Sequence, residues 1–372
     1  MKLTWPAVTA WRLERHYLSK PAPTARWLDV VTAIGGLHAQ LMSAAELSLA
    51  IRVEGLDRAH VARALWKTRT LVKAWAMRGT LHLLAARDFP ELISVLSTFR
   101  HYQRPRWLKY YQVDQADLDL IHDAAREILT DEGITRERLA KEIARRTNRP
   151  RLEASLLSSW GSLFKPAAFK GALCFGPSVG PKVTFVRPDR WLEQWRAPQS
   201  GAARATVARR YLSAYGPAAP DDFSRWFGVD VATARRIFGE LDDELIEVTI
   251  EGSRAFALAD SVASIRRAKP PNGARLLPYF DPYTVAISRH ARYLFPEEHR
   301  PKVYRPQGWI SPVVLVDGRI VGVWDSKKGK AATEVVIRPF QPLGGIEKAA
   351  VEEAAARLEP FWDAKVSVRF RR

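Results

Sequence analysis

Residues 114–133 read DQADLDLIHDAAREILTDEG and set the pattern from which the fold can be inferred. Apolar side chains stand at positions 118, 121, 125, 128 and 129, mostly three or four residues apart. This spacing is typical of one face of an amphipathic helix, and Gly133 is a residue type that commonly ends helices. The stretch therefore predicts a helix that packs one face against a core.

The stretches that follow complete a small unit. Thr135 is a candidate N-cap for a helix over TRERLAKEIARRT (135–147), and LEASLLSSWGSLF (152–164) predicts a third helix. Two β-rich runs, 172–175 and 183–186, then surround a Gly/Pro turn. Three helices and a hairpin are the parts of a winged helix-turn-helix.

The same order recurs elsewhere in the chain. At 203–258 the pattern predicts three helices, with Pro220 opening the second, and a hairpin that turns at Gly252 and Ser253. It recurs more loosely at 5–84, where TLVKAWAMRGTLHLL predicts a strand, an Arg-Gly turn and a strand. Three copies indicate a tandem arrangement.

The last hundred residues have a different pattern. Linkers are indicated at 197–203 and 266–275, and the rest predicts a helix at 345–358 together with strands at 313–316, 319–324, 333–338 and 366–370. We therefore predict an α+β fold with four domains: a first winged helix over 1–112, a second over 113–198, a third over 199–265, and a C-terminal β-rich module of mixed α/β structure over 266–372.

The charge balance indicates a polyanionic partner. The chain has 372 residues, with 58 Lys and Arg against 40 Asp and Glu, which leaves a net charge of +18. An excess of this size says little about fold but favours nucleic acid, with anionic lipid or an acidic protein as weaker candidates. No basic amphipathic helix with large aromatic residues supports the lipid alternative.

Cysteine and histidine usage argue against disulfides and metal sites. Cys174 is the one cysteine, and the eight histidines form no metal-binding spacing. The first residues lack the apolar core of a secretory signal, and no window approaches a membrane span. We expect a cytoplasmic protein without metal or cofactor, and a monomer, because no oligomerisation stripe is evident.

GGLHAQL (35–41) is the most informative local motif. Gly35 and Gly36 should end a preceding helix, and Ser43 with Glu46 has the spacing of a capping box that opens the next one. Residues 37–42 should then form a short extended bridge, in which His38 and Gln40 point to the same side. From spacing alone they could equally be loop residues that satisfy local backbone groups.

Motifs along nearly the whole chain carry a resemblance to a known family. They are GLHAQL followed by SAAELSLAIRV, WAMRGTLHLL (75–84), YLSAYGPAAPDDFSRWFG (211–228), ARLLPYFDPYTVAISR (274–289) and VVLVDGRIVGVWD (313–325). In these stretches the chain resembles the winged-helix DNA glycosylases of the AlkZ and YcaQ type. Members of that family release N7-alkylated purines and unhook interstrand crosslinks.

The resemblance implies both an architecture and a catalytic pair. It implies three tandem winged helices that form a concave DNA-binding surface, and a monofunctional glycosylase that uses water. The family's pair is usually Gln-x-Gln or Gln-x-Asp, and it falls on His38 and Gln40, where His replaces the first Gln. Gln40 would hold a water molecule. Histidine side chains have an ordinary pKa near 6.5, so a neutral His38 would accept a proton or position that water.

Other residues are candidates for contacts with DNA or with the site. In STFRHYQRPRWLKYYQ (97–112), basic residues alternate with aromatic ones, which suits phosphate contacts and stacking, although a solvated helix end has the same pattern. The candidate DNA-binding residues are Arg78, Arg100, Arg104, Arg106, Lys109, Arg289 and Arg292. Thr80, His82 and Asp281 are candidates for lining the site; His82 is also compatible with a structural role, and Arg78 with turn packing.

Two functions remain open from the sequence. The first is a glycosylase for N7-alkylated purines in double-stranded DNA, including bulky or crosslinking adducts, with a role in self-resistance to a genotoxin. The second is a DNA-binding regulator without catalysis, which the His38 departure keeps open. A regulator should bind one DNA sequence selectively, whereas a glycosylase should bind undamaged DNA weakly and with little sequence preference.

Overall fold

The structure is a computed structural model. It describes residues 1–159, 161–193, 195, 202–288, 291–329 and 332–371. Within these ranges helices and strands are both abundant, so the predicted α+β class is confirmed.

The helices fall where apolar residues recur at helical spacing. In chain order they are α1 Trp5–Arg15, α2 Trp27–Ala33, α3 Met42–Ala50, α4 Arg58–Trp66, α5 Phe89–Leu96, α6 Pro105–Tyr111, α7 Gln115–Ile128, α8 Arg136–Arg146, α9 Arg151–Ser158, α10 Lys165–Phe169, α11 Pro188–Trp191, α12 Ala203–Tyr215, α13 Pro220–Phe227, α14 Val231–Gly239, α15 Val262–Arg267, α16 Pro282–Val285, α17 Arg300–Val303, α18 Gly345–Ala356 and α19 Glu359–Trp362.

The strands are mostly short. They are β1 Lys2–Leu3, β2 Leu37–His38, β3 Leu71–Trp75, β4 Leu81–Ala85, β5 Ile134–Thr135, β6 Cys174–Val179, β7 Lys182–Val186, β8 Leu245–Ile250, β9 Ser253–Leu258, β10 Ala274–Leu277, β11 Val313–Val316, β12 Arg319–Lys328, β13 Ala332–Pro339 and β14 Lys365–Phe370.

The chain divides into two compact units, each described by itself. One consists of residues 1–60 together with 208–372, and the other of residues 61–207. These two units are defined by their compactness and not by the recurring motifs. The four domain boundaries inferred from the sequence therefore stay predictions.

The larger unit contains two sheets. Strands β10 to β14 lie in chain order, antiparallel except for the parallel pair β13 and β14. Helix α18 packs on this sheet, and Val351 and Ala355 are buried with Val335 and Ile337 in one core. A second core gathers α1, α15 and the sheet of β1, β8 and β9.

The smaller unit is built around two hairpins. Strands β4, β3, β6, β7 and β5 lie side by side in that order. The hairpins join where Lys73 pairs with Phe175, and the rings of Trp75, Phe175 and Phe185 pack together with centroids 4.7–5.7 Å apart. Helix α8 begins with Thr135 as N-cap, as predicted, because its hydroxyl accepts from the Arg138 amide.

The helix and hairpin order predicted for the second and third copies is present. Helices α7, α8 and α9 precede the hairpin of β6 and β7, and α12, α13 and α14 precede that of β8 and β9. The third hairpin turns at Glu251 and Gly252, one residue earlier than predicted, because Ser253 already pairs with Ile250.

The C-terminal strands and helix are also confirmed, with bounds that differ by a few residues. The predicted linker at 266–275 is too long, since α15 continues to Arg267 and β10 begins at Ala274 to pair with β11. The predicted linker at 197–203 lies largely outside the described residues.

Candidate active site

The segment between α2 and α3 is not helical, as the sequence predicts. Gly35 and Gly36 have φ angles of 70° and 96°, a left-handed region that glycine adopts at little cost. The predicted capping box at Ser43 is wrong, because α3 already begins at Met42 with Leu41 in the cap position. We call residues 34–41 the bridge.

Burial does not alternate strictly along the bridge, because His38 is covered together with Leu37 and Ala39. Leu37 and Ala39 are 0% and 1% exposed, whereas Gln40 is exposed. His38 is largely covered, with 8% of its surface exposed. The apolar residues therefore anchor the bridge in the core of its unit, while Gln40 reaches solvent.

His38 is covered by an aromatic ring that is distant in sequence. Its imidazole stacks on the ring of Phe280, with centroids 4.5 Å apart and planes 17° apart. Phe280 has a φ of 56°, which is unusual for a bulky residue and needs support from its surroundings. The Phe280 amide donates to the Ile310 carbonyl at 3.3 Å. The stack restricts the plane in which the imidazole can lie.

Asp281, proposed from the sequence as a site-lining residue, is fully buried. Its two carboxylate oxygens accept from the two terminal nitrogens of Arg52, each at 2.7 Å. The Ser48 hydroxyl and the Tyr283 amide also donate to it, both at 3.0 Å. Asp281 therefore influences the surroundings of His38 indirectly. Its bonds to Ser48 of α3 and to Arg52 hold the adjacent residue, Phe280, in place.

The start of the bridge is held by α12 and α13. The Tyr215 hydroxyl donates to the Ile34 carbonyl at 2.7 Å. A β-carbon added at Gly35 would lie 3.0 Å from the ring of Trp226, so glycine is required for packing as well as for φ. Sequence reasoning missed Tyr215, Trp226 and Phe280 as supports, although all three lie in the motifs that carry the family resemblance.

The turn between β3 and β4 contains the other polar candidates. Arg78 has a φ of 58° and is half-buried. The Thr80 hydroxyl donates to the Met77 carbonyl at 3.0 Å, and His82, 3% exposed, donates through Nδ1 to the Thr80 carbonyl at 3.0 Å. These local bonds satisfy the turn itself, which is the structural role considered for His82.

The basic segment 97–112 exposes its cations. Arg104, Arg106 and Lys109 are exposed at or within α6, and Arg100 is exposed before it. Its aromatic residues divide: Tyr102 is buried against Phe169, with ring centroids 5.4 Å apart, whereas Tyr110 is 78% exposed. The segment therefore has a packed inner side and a cationic outer side, and its contact with DNA stays a prediction.

A lysine that the sequence analysis missed lies beneath the β3–β4 turn. A β-carbon at Gly79 would lie 2.9 Å from the Tyr102 hydroxyl and 3.8 Å from the Lys165 ammonium. Burial lowers the pKa of Lys165. Burial first, and then Arg104 and Lys165, lower the pKa of His101. No motif marks Lys165, because its proximity to the turn depends on tertiary packing.

The remaining candidates are less informative. Arg292 is exposed, and Arg289 lies outside the described residues. Within the described ranges no three His, Cys, Asp or Glu side chains are grouped as a metal ion would need. In the same part of the chain, each helix is too short or too polar to cross a bilayer.

Comparison with known proteins identifies the family. The family model for AlkZ-like DNA glycosylases matches residues 31–361, which is most of the chain. The chain belongs to the AlkZ-like DNA glycosylase family. It is thus an enzyme of a family that cleaves glycosidic bonds, and the resemblance found in the sequence is confirmed.

One curated relative of this AlkZ-like chain is an interstrand DNA cross-link repair glycosylase from Streptomyces sahachiroi. It is 36% identical over 364 residues, which cover 96% of each chain. The solved structure of the Streptomyces sahachiroi DNA glycosylase AlkZ superposes with a TM-score of 0.92 at 35% identity, over 100% of both chains. The fold of this AlkZ-like protein therefore matches that structure from end to end.

Proposed function

We propose that the protein is a monofunctional DNA glycosylase that hydrolyses the N-glycosidic bond of N7-alkylated purines, with His38 and Gln40 as the catalytic pair. The observation that carries the proposal is the extended bridge, which buries Leu37 and Ala39 and leaves Gln40 exposed next to a stacked His38. Membership of the AlkZ-like family supports the reaction class. No carboxylate is needed for this chemistry.

The substrate's own charge explains why two neutral side chains suffice. Alkylation at N7 makes a purine cationic, so the base is already a good leaving group. The enzyme must then stabilise the oxocarbenium-like sugar and place a water molecule. In the proposed step the C1′–N9 bond breaks, its electron pair neutralises the departing base, and the water oxygen bonds to C1′. The water's proton passes to His38 or to solvent.

Interstrand crosslinks are a proposed extension of the same reaction. The Streptomyces sahachiroi relative is named as an interstrand DNA cross-link repair glycosylase. A crosslink through the N7 atoms of two purines carries the same cationic leaving group on each strand. Cleavage of one glycosidic bond would release one strand from the other.

DNA binding is assigned to the helix and hairpin units and to the exposed cations. We propose that the three recurring units act as winged helices, and that Arg78, Arg100, Arg104, Arg106 and Lys109 contact phosphates. Arg292 and Arg289 are weaker candidates. Alanine at Arg106 or Lys109 should weaken binding to damaged and undamaged duplexes alike. It should also reduce the salt slope by about 0.9 for each phosphate that the variant no longer neutralises.

The decisive experiment measures abasic sites in a duplex that carries one N7-methylguanine. Alkali cleavage after single-turnover incubation gives the rate of base release. His38→Ala and Gln40→Ala should each lower the rate by about 10²–10⁴-fold, the usual contribution of a positioned proton acceptor or water ligand. His60→Ala is the control, because His60 is an exposed histidine on α4. Variants as active as the wild-type protein would exclude the pair.

The pH profile distinguishes a base from a positioning group. A neutral imidazole accepts a proton and an imidazolium does not, so a base at His38 makes the rate fall as the solution becomes more acidic. His38→Gln restores the family's usual Gln-x-Gln pair and cannot titrate. Its profile should be flat between pH 5.5 and 8. A flat wild-type profile would mean that His38 only positions the water.

A further inference from the structure

A row of aromatic rings continues outward from His38. Phe280 stacks on His38 and lies 5.3 Å from the ring of Trp309, with planes 40° apart. Tyr279 meets the same indole edge-on at 5.9 Å and 82°. The proposed mechanism uses only the first member of this row.

Exposure rises sharply along the row. His38 and Phe280 are 8% and 6% exposed, whereas Trp309 is 37% exposed. Tryptophan is enriched among the residues that contribute most to binding energy at interfaces. Trp309 is therefore the point at which the ring system around His38 becomes accessible to a ligand.

The position of Trp309 is fixed by a tight turn. The Arg305 amide donates to the Trp309 carbonyl at 2.8 Å, and the Trp309 amide donates to the Pro306 carbonyl at 3.4 Å. Gln307 and Gly308, inside the turn, have φ angles of 59° and 79°. Tyr304 pairs with Ile310 at its base. The indole is thus presented by an ordered loop, which lowers the entropic cost of stacking a ligand on it.

The opposite end of the row is fixed by buried charge. Phe280 keeps its left-handed backbone conformation next to Asp281, which is locked to Arg52 by two hydrogen bonds of 2.7 Å. A row of rings whose two ends are both held in place resembles a preformed binding platform rather than a collapsed apolar patch. Such a platform suits a flat ligand.

The charges near the row are mixed. Burial and then the Asp325 carboxylate raise the pKa of Tyr279, while Arg305 and Arg338 lower it. Carboxylate and aromatic faces attract a cationic base, and the two arginines suit the phosphates on either side of a displaced nucleotide. The charged groups around Tyr279 therefore have the signs that a cationic base and its flanking phosphates would need.

We propose that Trp309 is a specificity-determining residue, whose indole stacks on the displaced N7-alkylated purine and places it next to His38. The inference rests on the proposed function, and it adds the group that recognises the base. The electron-rich face of an indole attracts a cationic ring more strongly than it attracts a neutral one. Trp309 therefore favours an alkylated purine over an ordinary one.

The test separates binding from cleavage. Affinities are measured for a duplex with 2′-fluoro-N7-methyldeoxyguanosine, in which fluorine slows cleavage, and for the same duplex with 2′-fluorodeoxyguanosine. Trp309→Leu should lower the preference for the lesion by about tenfold, within the range expected when a base–aromatic stack is removed. Affinity for the undamaged duplex should stay unchanged. Trp309→Phe should recover part of the preference.

Kinetics on the cleavable lesion provide a second readout. Trp309→Leu should raise the enzyme concentration that half-saturates the single-turnover rate, whereas His38→Ala should lower the rate at saturation. Trp362→Leu is the matched control, because Trp362 is a half-exposed tryptophan that packs with Trp324 at 6.4 Å. It should behave as the wild-type protein does.

Each outcome decides something. A wild-type protein that binds the lesion no better than 2′-fluorodeoxyguanosine and releases no base contradicts the proposed function, and the role of Trp309 falls with it. A wild-type preference that survives in Trp309→Leu overturns the role of Trp309 alone. A preference that disappears equally in Trp309→Phe and Trp309→Leu contradicts aromatic stacking.

Discussion

The bridge and the β3–β4 turn are both short connecting segments that contain glycine and polar residues, but they are supported differently. The turn closes on itself, since the Gly79 amide donates to the Ala76 carbonyl at 2.8 Å and Thr80 and His82 bond within it. The bridge relies on residues far along the chain, namely Tyr215, Trp226 and Phe280. Local hydrogen bonds therefore hold the turn together, whereas the bridge depends on contacts with residues that are distant in the sequence.

The largest expected effect comes from the buried ion pair behind the bridge. Asp281→Ala should lower the free energy of unfolding by about 3–5 kcal/mol, because it leaves the Arg52 charge buried without its partner. Urea denaturation followed by circular dichroism measures the loss. Glu247→Gln is the control, since the pair of Glu247 with Arg254 is largely in water, and it should change nothing measurable. Equal losses would contradict the stabilising role of the buried pair.

The packing of the β3–β4 turn can be tested by comparing Gly79 in that turn with Gly180 in the turn between β6 and β7. Gly79 and Gly180 have φ angles of 68° and 57°, but a β-carbon at Gly79 meets the Tyr102 hydroxyl at 2.9 Å and one at Gly180 meets nothing within 4 Å. Gly180→Ala should cost about 1–2 kcal/mol from backbone strain alone. Gly79→Ala should cost at least about 1 kcal/mol more. Thermal unfolding compares them, and equal values would exclude a packing role for Tyr102.

A hydroxyl deletion tests the distant support of the bridge. Tyr215→Phe removes the donor to the Ile34 carbonyl and should cost about 1–2 kcal/mol. Tyr304→Phe removes a comparable 2.8 Å bond to the Thr284 carbonyl. Both variants should lose similar stability, but only Tyr215→Phe should slow base release. Identical rates in the two variants would argue that the bridge tolerates displacement.

Acidic pH should modestly lower the free energy of unfolding, through a histidine that contacts Tyr215. His16 is fully buried and its ring lies edge-on to Tyr215 at 4.7 Å. Burial first, then Arg52 and Arg12, lower the pKa of His16 well below its ordinary value. As the pH falls, the unfolded chain therefore binds a proton at His16 before the folded chain does. The free energy of unfolding decreases as pH drops below about 6.5. His16→Gln should reduce the slope of stability against pH, by at most about 1.4 kcal/mol per unit. An unchanged slope would assign the acid sensitivity to other groups.

The two segments also differ in how far the sequence could predict them. The β3–β4 hairpin was predicted as a strand, an Arg-Gly turn and a strand, and the structure has a strand on each side of that turn. For the bridge, the glycines and the alternation predicted an extended segment. The capping box predicted at Ser43 was wrong, because Leu41 occupies the cap position. Capping depends on where the helix actually begins, and α3 begins at Met42, one residue before Ser43.

What surrounds the bridge could not be derived from local pattern. Phe280 and Asp281 stand in a proline-rich stretch with no periodicity, and their partners His38 and Arg52 are more than half the chain away. Family resemblance marked the stretch as significant without saying what it touches. Contacts of this kind are fixed by tertiary packing, so the buried pairing of Asp281 with Arg52 could not be predicted from the sequence.

The distance between Arg52 and Asp281 has a consequence during synthesis. The two residues are 229 positions apart, so a ribosome must add that many amino acids after Arg52 before the bond can form. Domains generally fold as they emerge, beginning from the N-terminus. Residues 61–207 can therefore mature first, while the segment that carries His38 waits for the final third of the polypeptide. A truncated translation product would lack the ring that covers His38 and, with it, the arrangement proposed for releasing bases from DNA.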